Sequence, residues 1–204
     1  MMPGSDEYFK CSNCDQVYSR GSLMSGNTFG AKLFSDGKNI APMLPEFPRI
    51  VKCKKCNTFF WLIEENEVTL SKKNKNIEEA VFLTIYEIQE AIDLNISKNN
   101  KELEYLRIRL WWALNDKIRE NDNIGFDKNE KILYESNCKI LIELLDKNNL
   151  NEKIMIAELF RNIGNYNECK KIMKTIKNKD YNWIKDIFEN ECQKNNSKVI
   201  LLRQ

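Results

Sequence analysis

The spacing of apolar side chains along the chain changes near residue 70. Before that point, apolar residues fall in short runs separated by all four prolines and most of the glycines. Runs of this kind, bounded by turn residues, are typical of β-strands. After residue 76 the apolar positions recur every three or four residues, which indicates amphipathic helices. The pattern predicts an α+β chain that is mostly α. We expect a β-domain at 1–70, packed through a polar connector at 71–76 on a helical domain at 77–204.

The predicted strands lie in "YFKC", "TFGAKLF", "RIVKC" and "TFFWLI". The turn sequence "SDGK" predicts a hairpin that ends at Asp36 and Gly37. "APMLPEFP" contains three prolines and is therefore expected to be extended rather than helical.

The helical part is expected to begin with a helix at about 77–95, with Ile77 and Val81 on its inward face. Asn151 and Asp180 are plausible helix caps. The remaining predicted helices cover about 100–121, about 128–147 with Ile132 and Ile140 inward, two helices within 151–177 hinged at Gly164-Asn165, and about 181–194.

Two Cys-x-x-Cys pairs dominate the candidate chemistry: Cys11 with Cys14, and Cys53 with Cys56. Two residues between thiolates let one tight turn direct both sulfurs at a single tetrahedral ion. Each pair is followed by a residue that tolerates left-handed backbone geometry, Asp15 or Asn57. The four cysteines therefore predict one structural Zn²⁺, because a closed Cys₄ shell leaves no open position for catalysis. The nearby lysines 10, 52, 54 and 55 could offset the charge of the thiolates.

The spacer of 38 residues between the pairs is long for a zinc ribbon. Lengthening a spacer from about 17 residues to this length adds only about 0.6 to 0.7 kcal/mol of closure entropy, against about 10 to 16 kcal/mol from the metal. One shared site is therefore favoured over buried or disulfide-bonded thiols and over a thioredoxin-like redox motif. An iron site like that of rubredoxin is the remaining alternative, since Cys₄ also binds iron.

Composition excludes several classes of function. Histidine is absent, which removes imidazole-dependent catalysis. The net charge of +2 gives no general attraction to nucleic acid or anionic lipid. An odd cysteine count of seven suits a reducing compartment, and the sequence shows no signal peptide or membrane span. We expect a soluble cytoplasmic protein that makes no membrane contact.

The spacer and the aromatic helix "EYLRIRLWWALNDKIRE" supply the candidate partner-binding residues. Exposed apolar groups on the extended segment could form one wall of a groove, and an Arg-Trp stack on the helix could hold a peptide or a base. The alternative is that both pack internally. The candidates are Asn27, Phe29, Asp36, Lys38, Met43, Leu44, Phe47, Arg107, Trp111 and Trp112.

The stretch 151–177 resembles one tetratricopeptide repeat, with "GNYNEC" at its turn and Cys169 at the small-residue crossing position. In addition, "SGNTFGAKLFSDGK", "APMLPEFP", "VKCKKCNTFFW" and "LRIRLWWALNDKIRE" resemble a group of uncharacterised bacterial proteins. Members of that group have an N-terminal Cys₄ zinc ribbon followed by tetratricopeptide-like helices. The resemblance implies this architecture and no activity.

Three functions remain open. The first is a non-enzymatic adaptor whose zinc ribbon and helical scaffold bind a protein partner. The second is a nucleic-acid-binding module, for which Lys52, Lys54 and Lys55 flank a cysteine pair, although acidic residues lie nearby. The third is an enzyme that uses carboxylates or lysines in a cleft, but no ordered constellation is visible.

Overall fold

The computed structural model describes residues 1–70, 77–120 and 125–203. The expected connector at 71–76 lies outside these residues. Contacts divide the chain into two compact units. The first unit comprises residues 1–31 and 40–96, and the second comprises residues 32–39 and 97–204. The hairpin at 32–39, which the sequence pattern assigned to the β-domain, is thus grouped with most of the helices.

The described residues contain ten short strands and six α-helices, which confirms the α+β, mostly α, class. The strands are β1 Met2–Pro3, β2 Glu7–Lys10, β3 Val17–Arg20, β4 Leu23–Ser25, β5 Lys32–Phe34, β6 Asn39–Ile40, β7 Ile50–Lys52, β8 Phe59–Trp61, β9 Ile77–Glu79 and β10 Leu201–Arg203. The helices are α1 Ile85–Asp93, α2 Asn100–Glu120, α3 Lys128–Leu144, α4 Leu150–Asn162, α5 Tyr166–Thr175 and α6 Asn182–Gln193. No described helix has the length and apolar character needed to cross a bilayer.

The first unit is built on two antiparallel hairpins, β2–β3 and β7–β8. Their inward side chains share one apolar core with two of the paired cysteines. Tyr18 and Phe60 meet edge to face in this core, with ring centroids 5.5 Å apart. The core residues are Phe9, Cys11, Tyr18, Val51, Cys53, Phe60, Leu62 and Ala80.

The first predicted helix was wrong in its N-terminal half. Ile77 is 39% exposed and belongs to β9, which pairs in parallel with β3. The helix begins only after Thr84, whose side chain accepts a hydrogen bond from the Glu87 amide while Glu87 bonds back to the Thr84 amide. This capping box fixes the start of α1 at Ile85. Val81 therefore precedes the helix and is exposed.

The second unit packs α2 against α3, α3 against α4, and α5 against both α4 and α6. The predicted inward leucines of α2, Leu106, Leu110 and Leu114, are fully buried. Two inward assignments on α3 were wrong, because Ile132 is 60% and Ile140 38% exposed. Leu141, which the same spacing places on the inward face, is fully buried, and the core side of α3 also carries Tyr134, Cys138 and Ile142.

The turn between α4 and α5 is confirmed at Gly164 and Asn165. Gly164 has a φ of +79°, a conformation that only glycine adopts without strain, and the Asn165 side chain caps α5. Two predicted caps were wrong. Asn149 rather than Asn151 caps α4, and Asp180 lies inside a 3₁₀ turn before α6.

The hairpin of β5 and β6 is held in the second unit by buried polar groups. Ser35 Oγ donates to Glu158 at 2.6 Å and accepts from the Ile200 amide at 3.0 Å, while β5 pairs with β10. Glu158 in turn forms a fully buried ion pair with Arg161. Burial by itself would lower the pKa of Arg161, but the charge of Glu158 and its hydrogen bonds raise that pKa above its usual value.

The turn of this hairpin, predicted at Asp36 and Gly37, is confirmed. Gly37 has a φ of +77°, and the buried Asp36 carboxylate accepts hydrogen bonds from Asn115 at 2.8 Å and from Arg119. Burial raises the pKa of Asp36, and the Arg119 charge only partly opposes the rise. Arg119 also pairs with Asp116, so the polar residues of α2 form a salt-bridge cluster around the turn.

Candidate metal centre

The two cysteine pairs occupy equivalent positions at the ends of the two hairpins of the first unit. Cys11 and Cys14 lie in the turn between β2 and β3, and Cys53 and Cys56 lie in the turn between β7 and β8. In both hairpins the last paired position is the lysine directly before the first cysteine, Lys10 opposite Val17 and Lys52 opposite Phe59. Two copies of one short motif therefore supply the four sulfurs.

The backbone of the two turns follows the same hydrogen-bond pattern. The Cys11 amide donates to the Gln16 carbonyl at 2.9 Å, and the Cys53 amide donates to the Thr58 carbonyl at 2.8 Å. Asp15 and Asn57 close the turns with φ values of +64° and +59°, which confirms the left-handed geometry expected for them. Each turn thus directs its two sulfurs to the same side.

The four sulfurs come together as one group. All four Sγ atoms lie within 4.8 Å of one another, with 3.5 Å between Cys14 and Cys53 and 3.7 Å between Cys11 and Cys56. A tetrahedral ion with metal–sulfur bonds of about 2.3 Å separates its ligand sulfurs by about 3.8 Å. The side chains therefore fit one tetrahedral metal ion, and the 38-residue spacer does not separate the pairs.

Hydroxyl groups surround the sulfurs. The Tyr18 hydroxyl hydrogen-bonds to the sulfur of Cys53 and accepts the Lys54 amide at 2.8 Å. Thr58 Oγ1 lies 3.4 Å from Cys56 Sγ. Partners of this kind orient metal ligands and stabilise their thiolate form. The sequence interpretation missed both hydroxyls, because the equivalent positions of the other turn, Phe60 for Tyr18 and Gln16 for Thr58, carry no hydroxyl and so give no repeated signal.

The protein environment shifts the pKa values of the clustered thiols in different directions. Burial raises the pKa of Cys11 to about 12. For Cys56, hydrogen bonds from the Thr58 side chain and amide lower the pKa to about 5. Burial opposes ionisation of Cys53, but hydrogen bonds to backbone amides and to Tyr18 lower its pKa overall. A bound cation would supply the charge that lets all four ionise together.

Three of the four lysines beside the cysteines are paired with carboxylates. Lys10 contacts Asp15 at 2.9 Å, Lys52 contacts Glu90 at 2.6 Å and Lys54 contacts Glu78 at 2.8 Å. Each of these three positive charges is thus partly offset by a carboxylate in contact with it. The net field that these lysines offer to a polyanion is correspondingly weaker.

The candidate partner-binding residues of the first unit lie in two loops that contact each other. The Asn27 amide donates to the Met43 carbonyl at 3.3 Å, and Leu44 packs against the Gly26 backbone. Phe29 is 86% exposed in the first of these loops. Phe47 is half-buried with its ring against Gly21.

The candidates of the second unit make internal contacts. Asp36 is fully buried, and its carbonyl accepts from Trp112 Nε1 at 3.0 Å. Trp111 is also fully buried and donates to Asn162. The remaining contacts are Lys38 with Asp116 at 2.5 Å, Arg107 with Asn137 at 3.2 Å, and Arg109 over the Trp112 ring at 5.5 Å.

Comparisons with models of known protein families, with curated proteins and with solved structures gave no match.

Proposed function

We propose that this chain is a non-enzymatic protein in which one structural Zn²⁺, held by Cys11, Cys14, Cys53 and Cys56, stabilises a unit that binds a protein partner. The observation that carries the metal assignment is the single group of four sulfurs, all within 4.8 Å of one another. Four thiolates complete a tetrahedral shell, so the ion would bind no substrate and its role would be structural.

Zinc is proposed over iron because the described residues contain no second redox group and because thiolate shells of this spacing are typical of structural zinc. Elemental analysis of protein purified without chelators tests the assignment. We expect about one zinc per chain. A red chromophore with stoichiometric iron would assign the site to iron instead.

The proposed partner surface consists of three exposed apolar side chains, Met24 on β4 and Phe29 and Leu44 in the two contacting loops. Their exposed fractions are 74%, 86% and 43%. The loop that carries Phe29 is ordered by its own hydrogen bonds, from the Phe29 amide to Asn27 Oδ1 at 2.9 Å and from the Ala31 amide to the Thr28 carbonyl at 3.0 Å. A large aromatic side chain held out by a fixed turn is the kind of anchor that dominates protein interfaces.

A photo-crosslinking experiment in the native cell tests this surface. A benzoylphenylalanine placed at Phe29 is expected to give a discrete crosslinked protein, and the same group at Tyr86, which is 75% exposed, serves as the control position. Equal crosslinking at both positions, or none at Phe29, would reject the proposed surface.

A nucleic-acid-binding function is the alternative, and the ion pairs of Lys52 and Lys54 with Glu90 and Glu78 weigh against it. Binding of short RNA or DNA that weakens steeply with salt and disappears when Lys52, Lys54 and Lys55 are replaced would favour this alternative.

A further inference from the structure

The second unit contains a cavity that neither the metal site nor the proposed partner surface uses. Its volume is about 330 Å³. Four separate parts of the unit form its walls: the hairpin after β5, the first turns of α4, the start of α6 with the residue before it, and β10. Pockets that bind small molecules begin at about this size, at roughly 300 Å³.

The walls of this cavity are fixed by contacts already present. Ser35 is hydrogen-bonded to Glu158 at 2.6 Å, and its amide donates to the Ile200 carbonyl at 2.9 Å, so the hairpin and the strand beside it cannot separate freely. Arg203 lies over the Trp183 ring at 4.9 Å and holds that ring in place. The cavity is therefore preformed, which limits the entropy that a ligand would lose on binding.

The lining is apolar and aromatic, and no charged side chain belongs to it. Phe34, Tyr181 and Trp183 supply three rings, and Ile154, Met155 and Leu202 supply aliphatic surface. A cation entering such a cavity would lose its hydration without gaining an opposite charge, because the charged groups that contact its rings, Arg119 over Phe34 and Arg203 over Trp183, are positive. A neutral ligand with a flat apolar body fits this lining.

Two neutral polar groups remain available to orient such a ligand. Asn151 and Tyr181 are among the residues that line the cavity, and the side chain of neither makes a hydrogen bond to a residue in the described ranges. The third polar side chain, Ser35, already donates to Glu158 and accepts from the Ile200 amide. One or two hydrogen-bonding groups on the ligand could therefore be recognised.

The surroundings favour a small molecule over a second protein surface. A stable protein interface buries about 800 Å² on each partner. The large exposed hydrophobic side chains in the described part of this unit are Ile132 and Ile140 on α3, which does not line the cavity, and Leu201 on β10. Leu201 alone beside the cavity is too small to supply an interface of that area. At about 30 Å³ per water-sized group, the cavity holds on the order of ten non-hydrogen atoms.

From these observations we infer that the cavity between the hairpin, α4, α6 and β10 is a binding site for a small, uncharged aromatic compound about the size of a bicyclic ring. The aromatic side chains stack on its body, and Asn151 and Tyr181 bind its polar edge. This site is independent of the proposed metal and partner functions.

Binding of indole to the full-length metal-loaded protein, measured by saturation-transfer NMR and titration calorimetry, tests the inference. We expect one indole per chain, with tryptamine, which adds an ammonium group to the same ring, binding at least about tenfold more weakly. Absence of indole binding, or equal affinity for tryptamine, would overturn the inference.

A matched pair of substitutions locates the bound indole. Met155→Trp fills the cavity and is expected to weaken indole binding at least about tenfold, whereas Met2→Trp, an identical change at an exposed position of the first unit, is expected to leave it unchanged. Should Met155→Trp fail to fold, Asn151→Ala on the exposed rim decides, with Asn148→Ala outside the lining as its control. Unchanged affinity in Asn151→Ala and in any folded Met155→Trp protein would place indole elsewhere and reject the site.

Discussion

The two units of the chain differ in the size of their interior and in the chemistry found there. The first unit has short strands and one small apolar core, and two of the four clustered cysteines are members of that core. The second unit buries long helices and encloses an ion pair, Glu158 with Arg161. Small cores often need a metal for stability, whereas a larger core can accommodate a paired charge. The stability of the first unit should therefore depend on metal supply, and that of the second should not.

Replacing one of the four clustered cysteines is the strongest test of whether only the first unit depends on metal. Cys53→Ser is expected to abolish stoichiometric metal binding and unfold the first unit, since structural zinc supplies about 10 to 16 kcal/mol in small metal-folded domains. Most of the circular dichroism at 222 nm should survive, because α2 to α6 belong to the second unit. NMR signals of residues 1–31 and 40–96 would report the local loss.

Cys138→Ser is the control for that experiment. Cys138 is fully buried on α3 and is not one of the four clustered cysteines, so its replacement should leave the metal content unchanged. Loss of helical signal in parallel with the metal in Cys53→Ser would mean that the two units unfold as one.

A second substitution should destabilise the helical unit instead. Glu158→Gln leaves the buried Arg161 guanidinium without its counter-charge, and breaking a buried pair in this way costs about 3 to 5 kcal/mol. Urea unfolding followed at 222 nm measures the loss, and the metal stoichiometry should stay the same.

Glu168→Gln is a matched control, because Glu168 and Lys171 form a pair with the same spacing of three residues at the surface. Its effect should be at most about 1 kcal/mol. Equal destabilisation by the two substitutions would show that the buried pair has no special role.

A smaller effect is expected from the hydroxyl that contacts a sulfur. Tyr18→Phe keeps the aromatic ring in the core and removes the hydrogen bonds to Cys53 and to the Lys54 amide. Removal of such a partner lowers metal affinity about 10- to 100-fold. Competition with a chromophoric chelator measures the change, and Tyr86→Phe at an exposed position should bind metal like the unmodified chain. An unchanged affinity in Tyr18→Phe would assign the hydroxyl to packing alone.

The smallest expected effect concerns the pH dependence of the second unit. Burial raises the pKa of Asp36 above its unfolded value, so the folded state binds this proton more tightly than the unfolded state. The contribution of Asp36 to stability is then largest at low pH and falls as the pH rises through the folded pKa. As the pH is lowered from 7 to just above 4, the free energy of unfolding of the unmodified chain should rise relative to that of Asp36→Asn. Urea unfolding at each pH measures this difference. The opposite slope would mean that Arg119 outweighs burial.

The features that could be predicted well from the sequence are those whose geometry is determined by residues close together in the chain. Each cysteine pair and the left-handed residue that follows it lie within five positions, so the turn geometry could be inferred from the sequence alone. The Gly164 turn and the α2 helix are similarly local. That the two cysteine pairs form one cluster could also be predicted, because the entropic cost of closing the long spacer is small relative to the free energy expected from metal binding.

The parts that sequence could not predict depend on distant residues. Strand β9 exists because it pairs with β3, which lies 60 positions earlier in the register of Val17 with Ile77. Glu158 and Arg161 have the spacing of an ordinary surface ion pair, and their burial follows from contact with Ser35, 123 positions away from Glu158. No local pattern distinguishes such a buried pair from an exposed one.

The long separation of the hairpin from its contacts has a consequence for synthesis of the chain. The described residues of the first unit end at Ile96, so its four cysteines can come together while later residues are still being added. Ser35 must wait for Glu158 and for Ile200, which is 165 positions downstream. At about 5 to 20 residues per second, the interval between Ile96 and Ile200 lasts on the order of 5 to 20 s. During that time the newly made hairpin would leave the ribosome without the helices that cover it, and this is when the nascent protein would be most open to chaperones or to misassembly.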